Sequence, residues 1–540
     1  MGGAVDADRA SLARARSRSA IILAIAPLAI VTFLVGIPLV TLVTVGASLD
    51  TGDPTRVITS AGTWRILGYT IAQAILSTVL SITLAVPAAY ALQRLRWPGR
   101  RTWLAILTVP FVLPTVVVGL AFRELLPFAG TTAAIIVAHV FFNVGLATRV
   151  IGGVWSQLDP RFIDVAQSLG SSPLRTFATV TWPFLRPAVF AASALVFLFT
   201  FTSFGVVLIV GDPAWPTIEV EIYRLAVQTL DLSAAATLAI VQLVIVVGAL
   251  AWSAALQRRT THERIVTETS VRHRPRSVID YATIAVTVLL VIAVSLPLLT
   301  LVIGSIRVGD RFGWDFYAEV FAPSDLTTRA TPAWEALATS ARYAAIATTI
   351  SVTLGMLGAI AVSMLQRSAS WVDTAITTPL GVSAVSLGLG LLLFSIYGPV
   401  DLRGSWLLVP LGQALVAMPI VIRVVLPVLR SIDPRLREVA ATLGAGPVRA
   451  WLTVDGPLAL RAGAVAAGLS AAVSLGEFGA TAFLVRADTP TVPVQIVRLL
   501  GRPGEANLGQ ALALSVILVL VTALIIGLAE RARPARGGGW

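Results

Sequence analysis

The sequence predicts an all-α polytopic membrane protein of about twelve transmembrane helices in two tandem six-helix repeats. Three observations carry this. The 540 residues are 56% hydrophobic and 13% charged, with mean hydropathy +0.86, whereas a soluble domain is about a quarter charged. Apolar runs long enough to cross a bilayer, about 20 residues, recur along the chain. A polar phrase is also written twice, DPRFIDVAQSLGSSP at Asp159–Pro173 and DPRLREVAATLGAGP at Asp433–Pro447, 274 residues apart and identical at eight positions. A β-barrel would alternate over segments of about ten residues; these runs are continuous.

Twelve spans are expected at about 20–48, 66–92, 103–122, 131–155, 187–211, 233–256, 278–305, 338–365, 373–397, 405–429, 459–485 and 508–529. The first follows Arg9, Arg14, Arg16 and Arg18 and is too long for a signal-peptide apolar region; it is expected to be retained. Residues 1–256 form the first repeat, 257–277 a polar cytoplasmic linker, and 278–540 the second repeat. At the same offset of 274, Arg149 pairs with Arg423, Phe204-Gly205 with Phe478-Gly479, Ile222 with Ile496 and Arg224 with Arg498. Upstream the offset drifts, IPLVTLV at Ile37 answering LPLLTLV at Leu296. Parallel repeats suggest a pseudo-twofold axis along the membrane normal, with the substrate path between the halves.

The net charge is +12, and all 40 basic residues are arginine. In a soluble chain this would suggest nucleic acid. Here a cytoplasmic N-terminus puts 26 arginines in or at the edge of inner loops and 11 in outer loops, the asymmetry that orients membrane proteins. No nucleic-acid partner is expected; lipid is. Both termini and both copies of the repeated phrase then face the cytoplasm. There is no cysteine, which excludes disulfides and thiol chemistry. His139, His262 and His273 are scattered, so no metal site is expected. A phosphate-binding P-loop needs a lysine, so this chain is expected to hold no ATP, no other cofactor and no catalytic residue.

Each copy of the phrase spells a short capped helix. Asp159 and Asp433 suit the N-cap, and Pro160 and Pro434 the first helical position. Phe162, Val165, Ala166 and Leu169 fall on one face, as do Leu436, Val439, Ala440 and Leu443. Gly170 and Gly444 can end the helix in a left-handed conformation. An amphipathic loop lying on headgroups would explain one such helix. Two, with acid, alanine, glycine and proline at matched spacing, imply two equivalent sockets.

The phrase resembles the EAA loop of binding-protein-dependent ABC importer permeases, whose pattern is Glu-Ala-Ala, three residues, Gly, nine residues, then Ile-x-Leu-Pro. The second copy supplies Glu438, Val439, Ala440, Gly444, Val454, Gly456 and Pro457; the first supplies Asp164, Val165, Ala166, Gly170, Val180, Trp182 and Pro183. The departures are Asp for the Glu in the first copy, Val for the first Ala in both, and Trp or Gly for the Leu. The resemblance extends over essentially the whole chain and implies the type I importer permease fold with both halves fused. It further implies two separate ATP-binding cassette subunits, carrying ATP and Mg, that receive the loops through Asp164, Ala166, Gly170, Glu438, Ala440 and Gly444. An extracytoplasmic solute-binding protein would dock on the outer face. The location implied is the bacterial inner membrane.

The text after the fifth span, with Thr217, Ile218, Glu219, Ile222 and Tyr223, resembles the thiamine group of these permeases, with ferric iron permeases as the alternative. Candidate pathway residues are Ser203, Phe204, Glu477 and Phe478. Glu477 lies inside an apolar run, where a charge is costly and commonly faces a cavity or partner. It could attract a cationic solute, or it could cap a helix break near Gly476 and Gly479. His139 reads as a packed helix residue. A secondary transporter also fits twelve spans in two halves, but has no use for two matched capped loops. A membrane enzyme would need convergent acids, His or Cys, and no such cluster is written.

Overall fold

A computed structural model describes residues 22–47, 54–260, 272–322, 332–365, 372, 375–376, 381–398, 401–402 and 404–531. Among them, ten helices have the length and apolar composition to cross a membrane: Ile22–Ala47, Ala61–Arg94, Thr132–Trp155, Pro173–Phe201, Leu232–Ser253, Val278–Ile306, Ala333–Leu365, Leu408–Arg430, Val448–Gly476 and Glu505–Arg531. An eleventh candidate is a bent pair, Arg100–Val112 and Thr115–Leu125, with a 105° angle at the break. The chain is thus all-α, and its described residues hold ten or eleven candidate spans where the sequence suggested about twelve. The only β-structure in strands among the described residues is Arg307–Val308 paired antiparallel with Arg311–Phe312.

The differences from the expected twelve have local causes. In the run at 103–122, Pro110 and Pro114 interrupt the helix. Each lacks the N–H that an interior position needs, and Leu113, which precedes the second, is extended at φ −68°, ψ 142°. Of the run at 373–397 the described helix is only Ala384–Tyr397, of 14 residues; most of 373–380 lies outside the described residues. The runs at 187–211 and 459–485 both break, after Phe201 and after Gly476.

The helix starts follow cap chemistry. Ser60 accepts from Gly62 N ahead of Ala61–Arg94, and Thr131 accepts from Ala134 N ahead of Thr132–Trp155. Ser277 and Asp280 form a reciprocal capping box at Val278–Ile306.

Two compact units partition the chain by contact. One comprises residues 55–222 and the described residues of 241–314. In it, Ala61–Arg94 packs along Thr132–Trp155, Trp182–Phe201 packs on both, and Val278–Ile306 lies against Ala61–Arg94. The segment before Val278 is pinned here as well: His273 N donates to Arg94 O (3.1 Å) and Arg96 N to His273 O (2.8 Å). Tyr90 Oη donates to Asp280 Oδ1 at 2.8 Å. Gly145 lets the bent pair touch Thr132–Trp155, since a Cβ there would stand 1.7 Å from the Leu107 carbonyl oxygen.

The other unit comprises the described residues of 1–54, 223–240 and 315–537. Ala333–Leu365, Leu408–Arg430 and Gly456–Gly476 pack together as the 274-residue counterparts of the first triad. Ile37–Ala47 lies against Ala384–Tyr397, and Thr237 Oγ1 donates to Gly46 O at 2.9 Å. The first span of each sequential half therefore belongs to the unit built mainly from the other half. A repeat is a relation of sequence and a unit one of contact, and the two divide this chain differently.

Candidate functional site: the duplicated loops and the broken spans

The two copies of the repeated phrase fold alike. Asp159 and Asp433 each cap their helix, accepting from the N–H two residues on at 2.9 Å. The helices are Pro160–Ser168 and Pro434–Thr442. Gly170 and Gly444 take φ +81° and +80°, where only glycine is unstrained. This closes matched C-terminal bonds: Ser171 N donates to Ala166 O at 3.1 Å, and Ala445 N to Ala440 O at 3.0 Å. These are the long bonds of a Schellman turn. Arg94 Nη1 donates to Leu158 O at 2.9 Å, tying the first loop to the end of Ala61–Arg94.

Past each glycine the chain re-enters a span through a wide turn. Phe177–Thr181 and Trp451–Asp455 are both π-helical, closed by Trp182 N to Phe177 O and Gly456 N to Trp451 O. Pro183 and Pro457 follow directly. A proline ring clashes with the carbonyl one turn back, and a π-bulge relieves that clash.

The apolar faces of these helices are uncovered. Val165 and Val439 are 57% and 55% exposed, and Leu169 and Leu443 are 81% and 82% exposed. Asp164 and Glu438 are also exposed, and Ala166 and Ala440 half-buried. A large apolar side chain held this open on a rigid, capped element has the form of a docking surface.

The candidate pathway residues fall at the two broken spans. After Trp182–Phe201, Ser203 and Phe204 occupy the break before Gly205–Val210; Phe204 is 5% exposed. After Gly456–Gly476, Glu477 is extended at φ −68°, ψ 124°. Its Oε1 accepts from Ala480 N (2.8 Å) and its Oε2 from Thr481 N (2.9 Å) and the Thr481 hydroxyl. Gln413 Nε2 in turn donates to Thr481 Oγ1 at 3.4 Å. Both carboxylate oxygens therefore hold the start of Thr481–Leu484, which is the capping alternative. Phe478 is 3% exposed. Glu477→Ala is expected to lower the melting temperature of the detergent-purified chain, at a cost of about 2 kcal/mol. Glu477→Gln keeps one acceptor and should lose about half of that. A melting temperature unchanged in both variants would contradict the capping role.

His139 is 2% exposed, with Nδ1 3.3 Å from Ser77 Oγ, a packed helix residue. The phrase with Thr217, Ile218 and Glu219 is interior. Glu219 is fully buried beside Gln242, whose Nε2 donates to it, and Ile218 N donates to Thr70 Oγ1 at 3.0 Å. Tyr223 meets Phe483 edge-on, ring centroids 5.8 Å apart. Thr217, Ile218, Glu219 and Ile222 are buried and Tyr223 half-buried. Sequence reading missed one side-chain pair at the second loop, Arg437 with Asp455. Their separation of 18 residues fits no local spacing rule; the signal was an aspartate at the mouth of an apolar run.

Known proteins resemble this chain in sequence. The family described as binding-protein-dependent transport system inner membrane component matches residues 81–262, a stretch that includes the first loop. The chain is 26% identical over 498 residues to the thiamine transport system permease protein ThiP of Brucella abortus, covering 88% of each chain. It is 27% identical to the Escherichia coli protein of the same name over 500 residues, 87% of this chain and 89% of that one. A shorter likeness, 32% over 164 residues, links it to the sulfate transport system permease protein CysT of Salmonella typhimurium, covering 27% of this chain and 59% of that one. Residues 81–262 thus match the binding-protein-dependent transport system inner membrane component family, on an integral inner-membrane chain that is similar over most of its length to transport permeases.

Proposed function

We propose that this chain is the translocation subunit of an ATP-driven importer that brings thiamine into the cytoplasm. The observation that carries the coupling half of this reading is the pair of capped helices with matched, uncovered apolar faces. Each seats in a cleft of a separate ATP-binding subunit, where ATP and Mg are held and hydrolysed. The chain has no lysine for a P-loop of its own. A solute-binding protein delivers the substrate on the outer side, and both termini lie in the cytoplasm.

Thiamine as the substrate is supported by likeness over nearly nine-tenths of the chain to permeases of that name; ferric iron is the alternative. The same likeness makes an ion-coupled secondary transporter the weaker reading.

The test is reconstitution. Proteoliposomes holding the permease, its ATP-binding subunits and the binding protein should take up radiolabelled thiamine only with ATP and with the binding protein present. Uptake by the permease alone, driven by an ion gradient, would overturn the reading. Uptake of ferric iron but not thiamine would overturn only the substrate.

A further inference from the structure

The two loops are alike in backbone and unlike in how they are fastened. In the second copy, Arg437 of Pro434–Thr442 reaches back to Asp455, the last residue before Gly456–Gly476. Nε lies 3.0 Å from Oδ1 and 2.9 Å from Oδ2, and Nη2 also donates to Oδ1. The Asp455 side chain is 1% exposed and that of Arg437 32%. The 274-residue counterparts in the first copy are Ile163 and Thr181, which cannot form a charge pair. Ile163 is half-buried and Thr181 5% exposed.

We propose that Arg437 and Asp455 brace the second loop to the helix behind it, making that loop the stiffer of the two elements that pass movement into the spans. Arg437 is then a positioning residue, and its role rests on the coupling reading above. The chemistry favours a stiff link. A guanidinium holding a carboxylate through several charge-assisted bonds fixes both distance and plane. The carboxylate is desolvated, so losing its partner strands a buried charge, which makes sliding costly. Hydrogen bonding to Asp455 pushes the Arg437 guanidinium above its usual range. Ile163 can offer Thr181 no directional bond, and the described tie of the first loop, Arg94 Nη1 on Leu158 O, holds its entrance and not the helix behind it.

Two measurements test this. On the full chain in lipid nanodiscs, amide exchange at 434–443 should be slower than at 160–169 by about tenfold. Arg437→Ala should abolish the difference, Arg437→Lys should leave part of it, and the swap Arg437→Asp with Asp455→Arg should restore it. Installing the pair with Ile163→Arg and Thr181→Asp should slow exchange in the first loop. Exchange at 434–443 unchanged in Arg437→Ala overturns the brace, whatever the partners do. In the reconstituted importer, Arg437→Ala should raise the ATP hydrolysed per solute moved, and the swap should bring it back. An unchanged ratio in Arg437→Ala, alongside collapse of uptake in Gly170 and Gly444 variants, overturns the brace alone. No effect in either set overturns the coupling reading as well.

Discussion

Valine at both Gly170 and Gly444 should reduce ATP-driven uptake to near background while the chain still inserts and purifies as a monodisperse species. Both glycines sit at φ near +80°, a region that costs an L-residue about 1–2 kcal/mol and a β-branched one more. A Cβ at either position meets nothing within 4 Å in this chain. The damage is therefore to loop shape and to whatever docks on it, not to the packing of the spans. Each single variant should lose part of the activity. Uptake measured in proteoliposomes, with gel filtration as the control for integrity, checks this. Full uptake in the double variant would mean that the loops are not seated in partners.

Gly145→Val should have the opposite profile, a loss of the folded protein itself. The added Cβ would stand 1.7 Å from the Leu107 carbonyl oxygen and 2.5 Å from its carbon. Both are backbone atoms and cannot rotate away, so the first arm of the bent pair must move off Thr132–Trp155. Overpacking of this severity costs about 3 kcal/mol or more, enough to remove most of the monodisperse protein at physiological temperature. Gly153→Ala, eight residues along the same helix, meets nothing within 4 Å and should be neutral or stabilising by up to about 1 kcal/mol. Equal yields of the two variants would contradict the close approach.

The parts legible in the sequence were those with local chemistry. The Asp-Pro starts, the glycine ends and the 274-residue offset specify the two loops, because caps and left-handed turns depend on residues within a few positions of one another. Composition gives the membrane class. The bend at Pro110 and Pro114 was written plainly, but an average of hydropathy across 103–122 is blind to it. Glu477 stood out as a charge in an apolar run; its capping bonds exist only because the backbone leaves the helix after Gly476. The packing of Ile22–Ala47 on Ala384–Tyr397 was illegible, since composition does not name a helix's neighbour. Arg437 with Asp455 needed the fold to bring the loop back to its own helix. The phrase around Glu219 carried the substrate likeness in sequence, and the structure shows those residues packed inside.

In the proposed importer two equivalent loops each seat in a separate ATP-binding subunit. The chain has no native cysteine, so single cysteines need no background cleared. Leu169→Cys and Leu443→Cys, at side chains 81% and 82% exposed, can be cross-linked in the assembled importer, singly and together. The expected result is an adduct with an ATP-binding subunit from each position, and one permease joined to two such subunits in the double variant. No adduct from either position, in a complex that still transports, would contradict it.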